Sequence, residues 1–232
     1  MVFDPADEGT PEREWLALLR RSHEWSPQPG PLVVVAPHPD DEVLGAGGLV
    51  HCWSCTGQAV TVVSVTDGEA ADHSRADLSL VRRKELRHAL RKLSLVHIDV
   101  KNLCIPDGKV KDHKTRLRIA VEECAKGGAT IIAPYERDGH PDHEAVGQVC
   151  CELAHESGLP IARYPVWTWH HTHPASMQAL KWGLFRLCAV ALRAKTRALQ
   201  CFESQLRPRR GAPIVPAHVL AHFERPFEAF VL

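Results

Sequence analysis

At 232 residues, 44% apolar and 24% charged, the chain has the make-up of one substantial globular domain, which excludes a disordered, collagen-like or coiled-coil protein. Lys+Arg and Asp+Glu both number 28, and this zero net charge gives no electrostatic reason to expect nucleic acid or an anionic membrane as partner. No apolar run approaches the roughly 20 residues of a spanning helix, so no integral membrane segment is expected.

The amino terminus carries Asp4, Asp7, Glu8, Glu12 and Glu14 rather than the basic-then-apolar order of a secretory signal, which predicts a cytoplasmic protein. Residues 1–30 read as an amphipathic leader helix around Glu12–Arg21 and a Pro-rich turn, and residues 31–232 as the domain proper. Leu32–Ala36 is an uninterrupted apolar run suited to a strand buried on both faces. Glu42–Thr56 follows as a helix whose glycines (Gly45, Gly47, Gly48) permit close packing on a sheet. Strands are then predicted at Val60–Val65, Val96–Val100, Ala129–Ala133 and Ile161–Val166. Helices are predicted at Leu78–Leu93, Thr115–Ala125 and His143–Ser157. This alternation predicts an α/β, Rossmann-like fold, with a mainly parallel sheet covered by helices on both faces in a single domain. Beyond Trp167 lie an aromatic and histidine-rich loop, a basic helix over about Met177–Phe202, and a tail with Phe223, Phe227 and Phe230.

The eight cysteines are too sparse for a disulfide scaffold. Cys52 and Cys55 have C-x-x-C spacing but fall inside a predicted helix with no second pair, so buried or incidental thiols are expected rather than a zinc knuckle or redox module.

Two clusters carry chemistry: Pro37-His38-Pro39-Asp40-Asp41-Glu42 after the first strand, and Asp138-Gly139-His140-Pro141-Asp142-His143 after the fourth. Parallel strands bring both to one sheet edge, where open α/β folds bind ligands. His38, Asp41 and His143 together form a two-His, one-carboxylate set for a catalytic metal with an open position. Asp40 beside them is placed as a general base for the metal-bound water. His140 is a candidate donor to an oxyanion, and Asp142 a carboxylate that holds a site imidazole in its tautomer.

These two motifs resemble the signatures of the PIG-L (LmbE-like) deacetylases, zinc enzymes that remove the N-acetyl group from N-acetylglucosamine units of glycoconjugates. Thr66-Asp67-Gly68-Glu69, Arg82-x-x-Glu85, Pro106-Asp107-Gly108, Lys195-x-x-Ala198-Leu199 and Ser204-Gln205 are similar to smaller family features, so the resemblance spans about residues 31–206. It implies one zinc per chain on His38, Asp41 and His143, with iron(II) able to accept the same ligands. It implies Asp40 as base and then acid, His140 as stabiliser of the tetrahedral intermediate, Asp142 as orienting residue, and Arg82, or Arg83 beside it, as a substrate contact. Phe202 stands where many members place a histidine.

Glu69 is either a turn residue or a contact to a substrate hydroxyl. His170, His171 and His173, with Trp167 and Trp169, are expected to form a solvated loop or a lid over a sugar ring. Lys181–Arg210, with Arg186, Arg193, Lys195, Arg197, Arg207, Arg209 and Arg210, is expected to be a solvated helix face. The resulting expectation is a deacetylase of a small amino-sugar glycoconjugate. A zinc amidohydrolase for a longer acyl group or another amide, and a non-catalytic sugar-binding protein on the same fold, are the alternatives. The glycan and the oligomeric state are not readable.

Overall fold

A computed structural model of the protein describes residues 7–72, 75–94, 96–207 and 213–232. Its centre is strand β2 (Leu32–Ala36), all five residues buried, as an uninterrupted apolar run demands. In chain order the other strands are β1 (His23–Glu24), β3 (Val60–Ser64), β4 (Asp99–Asn102), β5 (Thr130–Pro134), β6 (Ile161–Tyr164), β7 (Trp182–Arg186) and β8 (Phe227–Val231). They form one sheet in the order β1-β7-β8-β6-β5-β2-β3-β4, with β8 antiparallel to both neighbours and every other pairing parallel.

Alternate residues of β2 feed two cores. Leu32 and Val34 join Leu49, Leu86, Leu90 and Phe202 on one face. Val33 and Val35 join Leu117, Val121, Val146 and Leu153 on the other. The principal helices are α1 (Glu12–Leu19), α2 (Asp41–Cys55), α3 (Leu78–Leu93), α4 (Lys114–Ala125), α5 (Pro141–Ser157), α6 (Thr168–His171) and α7 (Ala189–Leu199). Chain direction around the sheet reverses between β2 and β5. The switch point therefore faces the loops that precede α2 and α5.

Three sequence expectations are corrected. The third strand starts at Asp99, not Val96, which is 53% exposed; β4 is an edge strand, and its Asp-Val-Lys-Asn sequence carries little apolar signal. The single basic helix over Met177–Phe202 is instead β7 followed by α7, because Trp182-Gly183-Leu184-Phe185 fits a half-buried pleat better than a helix face. The tail contributes β8, inserted between β6 and β7. The leader is bound into the same core: Trp15 is fully buried and its indole N–H donates to the Trp169 carbonyl at 2.7 Å, while β1 pairs with β7.

Helix α2 is broken at Ala46 (φ −143°, ψ 15°). A Cβ at Gly45 would sit 2.2 Å from the Tyr164 ring, and one at Gly48 2.4 Å from Leu187, so both glycines are set by close approach. Just past the break, the Gly48 and Leu49 amides donate to Glu228 at 2.7 and 2.8 Å, while the Lys195 ammonium donates to the Leu44 carbonyl at 2.8 Å and to Glu228 at 2.7 Å. This buried ion pair braces the first turns of α2, where the first motif lies.

Candidate active site

His38, Asp40 and Asp41 lie at the carboxyl end of β2, and His140, Asp142 and His143 at the start of α5 beyond β5. The switch point brings them together. His38 Nδ1, His143 Nε2 and Asp41 Oδ2 form a triangle with sides of 3.2, 3.2 and 3.3 Å. A tetrahedral ion with bonds of about 2.0–2.1 Å to its ligands requires edges of about 3.3–3.4 Å.

Tautomers fix which atoms face inward. His143 Nδ1 lies 2.8 Å from Asp138 Oδ2, which can only accept, so Nδ1 carries the proton and Nε2 presents a lone pair. His38 Nε2 lies 3.1 Å from Asp107 Oδ1 and 3.5 Å from Asp142 Oδ2, leaving Nδ1 bare in the same way. Three acceptors then face one another without a donor between them, and a cation satisfies all three. Without one the triangle traps protons. Burial opposes a charged His143 ring, but Asp41 and Asp138 outweigh it and raise the group to about 9. Burial likewise opposes charge on His38, and Asp107, Asp142 and Asp41 raise it. Asp41 is lowered by the two rings against its own desolvation.

The backbone of Asp40 is strained, at φ 140° and ψ −30°, where a non-glycine residue costs about 1–3 kcal/mol. Its amide donates to Glu42 at 3.1 Å, its carbonyl accepts from Val43 and Leu44, and its carboxylate stands 3.3 Å from Arg82. These contacts hold the Asp40 side chain beside the triangle. Burial raises its pKa, opposed by Arg82 and assisted by Asp41. Arg82 is 3% exposed and donates to Gly68 O and Pro39 O at 3.0 and 2.8 Å, whereas Arg83 faces away and pairs with Asp67. Of the two arginines, Arg82 is the one at the site.

His140 Nδ1 accepts the Asp142 amide at 3.2 Å, so its Nε2 carries the proton. Burial, then the neighbouring His143 and His38, push its pKa down to about 3, so the ring stays neutral and donating. Its ring nitrogens also approach those of His38 and His143 within 4.8 Å, a looser set than the triangle with Asp41. Asp142 accepts from the Gly108 and Val110 amides at 2.7 and 3.2 Å, fixing the loop that carries Asp107 against His38. Glu69 serves that loop too, accepting the Asp107 amide at 2.9 Å. His38, Asp107 and Asp142 also come within 4.8 Å of one another, but the His38 proton lies between them.

Two carboxylates with parts in this geometry received no role from the sequence. Asp107 orients His38. Asp138 orients His143 while accepting from the Val166, Trp167 and Thr168 amides and the Thr168 hydroxyl. Asp138 lies in the second cluster, past the end of β5 at Pro134, and nothing in that placement assigned it to an imidazole.

A cavity of about 420 Å³ opens over the triangle. Asp40, Arg82, His140 and His171 line it together with Trp167, which stacks on His171 at 6.0 Å. Trp169 lies in the core between Trp15 and Trp182 rather than on the cavity. His173 is exposed and 3.4 Å from Glu14, and no second metal-binding group involving these histidines occurs among the described residues. Lys195 departs from the expected solvated basic face by being buried, and Arg209 and Arg210 lie outside the described residues. Cys52 is half-buried and Cys55 exposed, both as free thiols.

The model of the family described as PIG-L, GlcNAc-PI de-N-acetylase, matches residues 33–154, more than half of the chain. The chain belongs to the PIG-L family. It is 29% identical over 148 residues to a probable N-acetyl-alpha-D-glucosaminyl L-malate deacetylase 2 of Bacillus cereus, a match covering 58% of this chain and 64% of that protein. The match thus spans less than two thirds of that relative's length. Among solved structures it is similar to the conserved protein TT1542 of Thermus thermophilus, with TM-score 0.65, 26% identity and coverage of 87% of this chain and 93% of that one. The N,N'-diacetylchitobiose deacetylase of Pyrococcus horikoshii shares the fold, with TM-score 0.58, 22% identity and coverage of 88% and 82%.

Proposed function

We propose that this PIG-L family chain is a metal-dependent hydrolase that removes the N-acetyl group from an amino-sugar glycoconjugate, releasing acetate and a free amine. The observation that carries this reading is the triangle of inward-facing acceptors from His38, Asp41 and His143, with Asp40 beside it under an open cavity. Family membership and the deacetylase names of the relatives support the same reaction class.

His38, Asp41 and His143 would hold zinc, which would supply a Lewis acid for the acetyl carbonyl and make a water on it more acidic than bulk. Asp40 takes the proton of the attacking water. Its raised pKa makes it a better base than an exposed carboxylate and lets it hold the proton afterwards. His140, neutral with Nε2–H free to donate, stabilises the oxyanion at the former carbonyl oxygen. Asp40 then passes its proton to the leaving nitrogen, and the C–N bond breaks. Asp138, Asp107 and Asp142 keep the imidazoles in the tautomers that this sequence of steps needs. Arg82 anchors the Asp40 turn and closes the cavity beside it.

The test is acetate release from N-acetylglucosaminides by the zinc-loaded protein. Asp40→Asn is expected to bind zinc as the parent does and to lose about 10²–10⁴ of kcat. Equal turnover in the variant would remove Asp40 from the mechanism.

A further inference from the structure

We infer that Glu42 is the positioning residue that keeps the Asp40 carboxylate available for proton transfer, by holding the start of α2 in its place. The inference rests on the reading of Asp40 as base and then acid given above. Asp40 is the N-cap of α2, a position where an aspartate ordinarily folds its side chain back onto the amides of the first turn. Here its carboxylate makes no capping bond and lines the cavity instead, 3.3 Å from Arg82. The backbone sets this difference. An ordinary N-cap residue is extended, whereas Asp40 lies at φ 140°, a conformation that persists only where the surroundings impose it.

Two side chains impose it. Arg82 donates to the Pro39 carbonyl at 2.8 Å and so holds the residue before Asp40. Glu42 reaches back and accepts the Asp40 amide at 3.1 Å, a capping box shortened by one residue. The Asp40 carbonyl meanwhile accepts from Val43 and Leu44 at 2.9 and 2.8 Å, so these two amides need nothing from the Asp40 side chain. Glu42 is fully buried, where a carboxylate is unfavourable. A helix start capped by Asp40 itself needs no such group and could carry an apolar side chain at position 42. Burying a second carboxylate is accounted for if that of Asp40 has to stay out of the cap. Glu42 Oε1 has no hydrogen-bond partner among the described residues, so the acceptor at Oε2 is the contact that matters, and a glutamine carbonyl can supply it.

The experiment compares Glu42→Met, Glu42→Asp and Glu42→Gln, each alone and combined with Asp40→Asn, as zinc-loaded full chains acting on methyl N-acetylglucosaminide. Glu42→Met should lower kcat by about 10²-fold or more, the share of a general base, with KM and the zinc Kd within about threefold of the parent. Glu42→Gln, which keeps the acceptor, should recover most of that loss. In the Asp40→Asn background Glu42→Met should change kcat by less than about twofold, because the group it positions is already gone. A crystal structure of Glu42→Met gives a readout without turnover. It should show Asp40 at negative φ with its carboxylate on the first-turn amides of α2. Where Glu42→Met does not accumulate, Glu42→Asp, whose shorter arm falls back from the Asp40 amide, carries the same comparisons. Asp40 still near φ 140° in either variant overturns the inference. So do zinc affinity falling in step with kcat, equal losses with and without Asp40→Asn, and a loss in Glu42→Gln as large as in Glu42→Met or Glu42→Asp. Absence of acetate from the parent on every N-acetylglucosaminide overturns the deacetylase reading, and the Asp40 conformation in the variants still decides what Glu42 holds.

Discussion

Changing Asp138 to asparagine replaces one oxygen by an amide nitrogen at the point where His143 is oriented. Asp138 Oδ1 accepts from the Val166 and Thr168 amides at 2.9 and 3.0 Å and from the Thr168 hydroxyl at 2.7 Å. An asparagine carbonyl in that position keeps all three. The new NH₂ takes the place of Oδ2, which faces His143 Nδ1 at 2.8 Å and the Trp167 amide at 3.0 Å. It can only donate, so the imidazole proton moves to Nε2, the atom that belongs to the triangle. Cation binding must then reverse the tautomer and break that bond. Partners of metal-ligating histidines are worth about 10–100-fold in affinity, or about 1.4–2.7 kcal/mol. Zinc competition against a chelator should show Asp138→Asn weakened by that factor. Loss of one charge-assisted bond, about 1.5–3 kcal/mol, should lower Tm by about 3–12 °C. Asp138→Ala, which strands every donor, should fail to accumulate folded protein. Zinc affinity of Asp138→Asn within twofold of the parent would refute this account of His143.

Zinc affinity should rise with pH. The cation-free site raises the His38 and His143 pKa values, the latter to about 9, while the cation takes neutral rings, so binding releases protons and tightens about tenfold per pH unit for the His143 proton below pH 9. Calorimetry in buffers of different ionisation enthalpy counts those protons, and a flat affinity between pH 6 and 8 contradicts the assignment. Lys195→Met should destabilise by about 3–5 kcal/mol in urea unfolding, because Glu228 would stay buried without its counter-charge. Trp15→Ala should cost about 3–5 kcal/mol by the same measurement, since the ring is fully buried against Trp169. A loss below 1 kcal/mol would show the leader to be an appendage.

The central strands were legible because Val33, Val34 and Val35 are buried on both faces, so apolar content alone marks them. The edge strand β4 was placed three residues early because one of its sides faces solvent and its sequence is mostly polar. β7 and β8 were invisible for a different reason. Trp182–Arg186 and Phe227–Val231 complete each other's hydrogen bonding, and neither has a pattern that demands a strand without the other. Both site motifs lay next to strand ends, so their meeting followed from parallel topology. The partners Asp107 and Asp138 did not follow, because which carboxylate reaches which imidazole depends on loop conformation that no local spacing encodes. Lys195 shows the limit of charge patterning: it lies in a basic run, yet it is a buried ion-pair partner.

The brace on α2 also bears on the order of assembly. Leu44 and Gly48 take their partners from residues 151 and 180 positions further along the chain. Closing loops of that length is entropically demanding, and topologies rich in distant pairings fold slowly. A nascent polypeptide can therefore form the β2–β3 neighbourhood early while the helix that presents Asp40 and Asp41 still lacks its splint. Stable metal uptake is then expected to coincide with docking of β8, which makes the last strand to join the sheet the one that commissions the first motif.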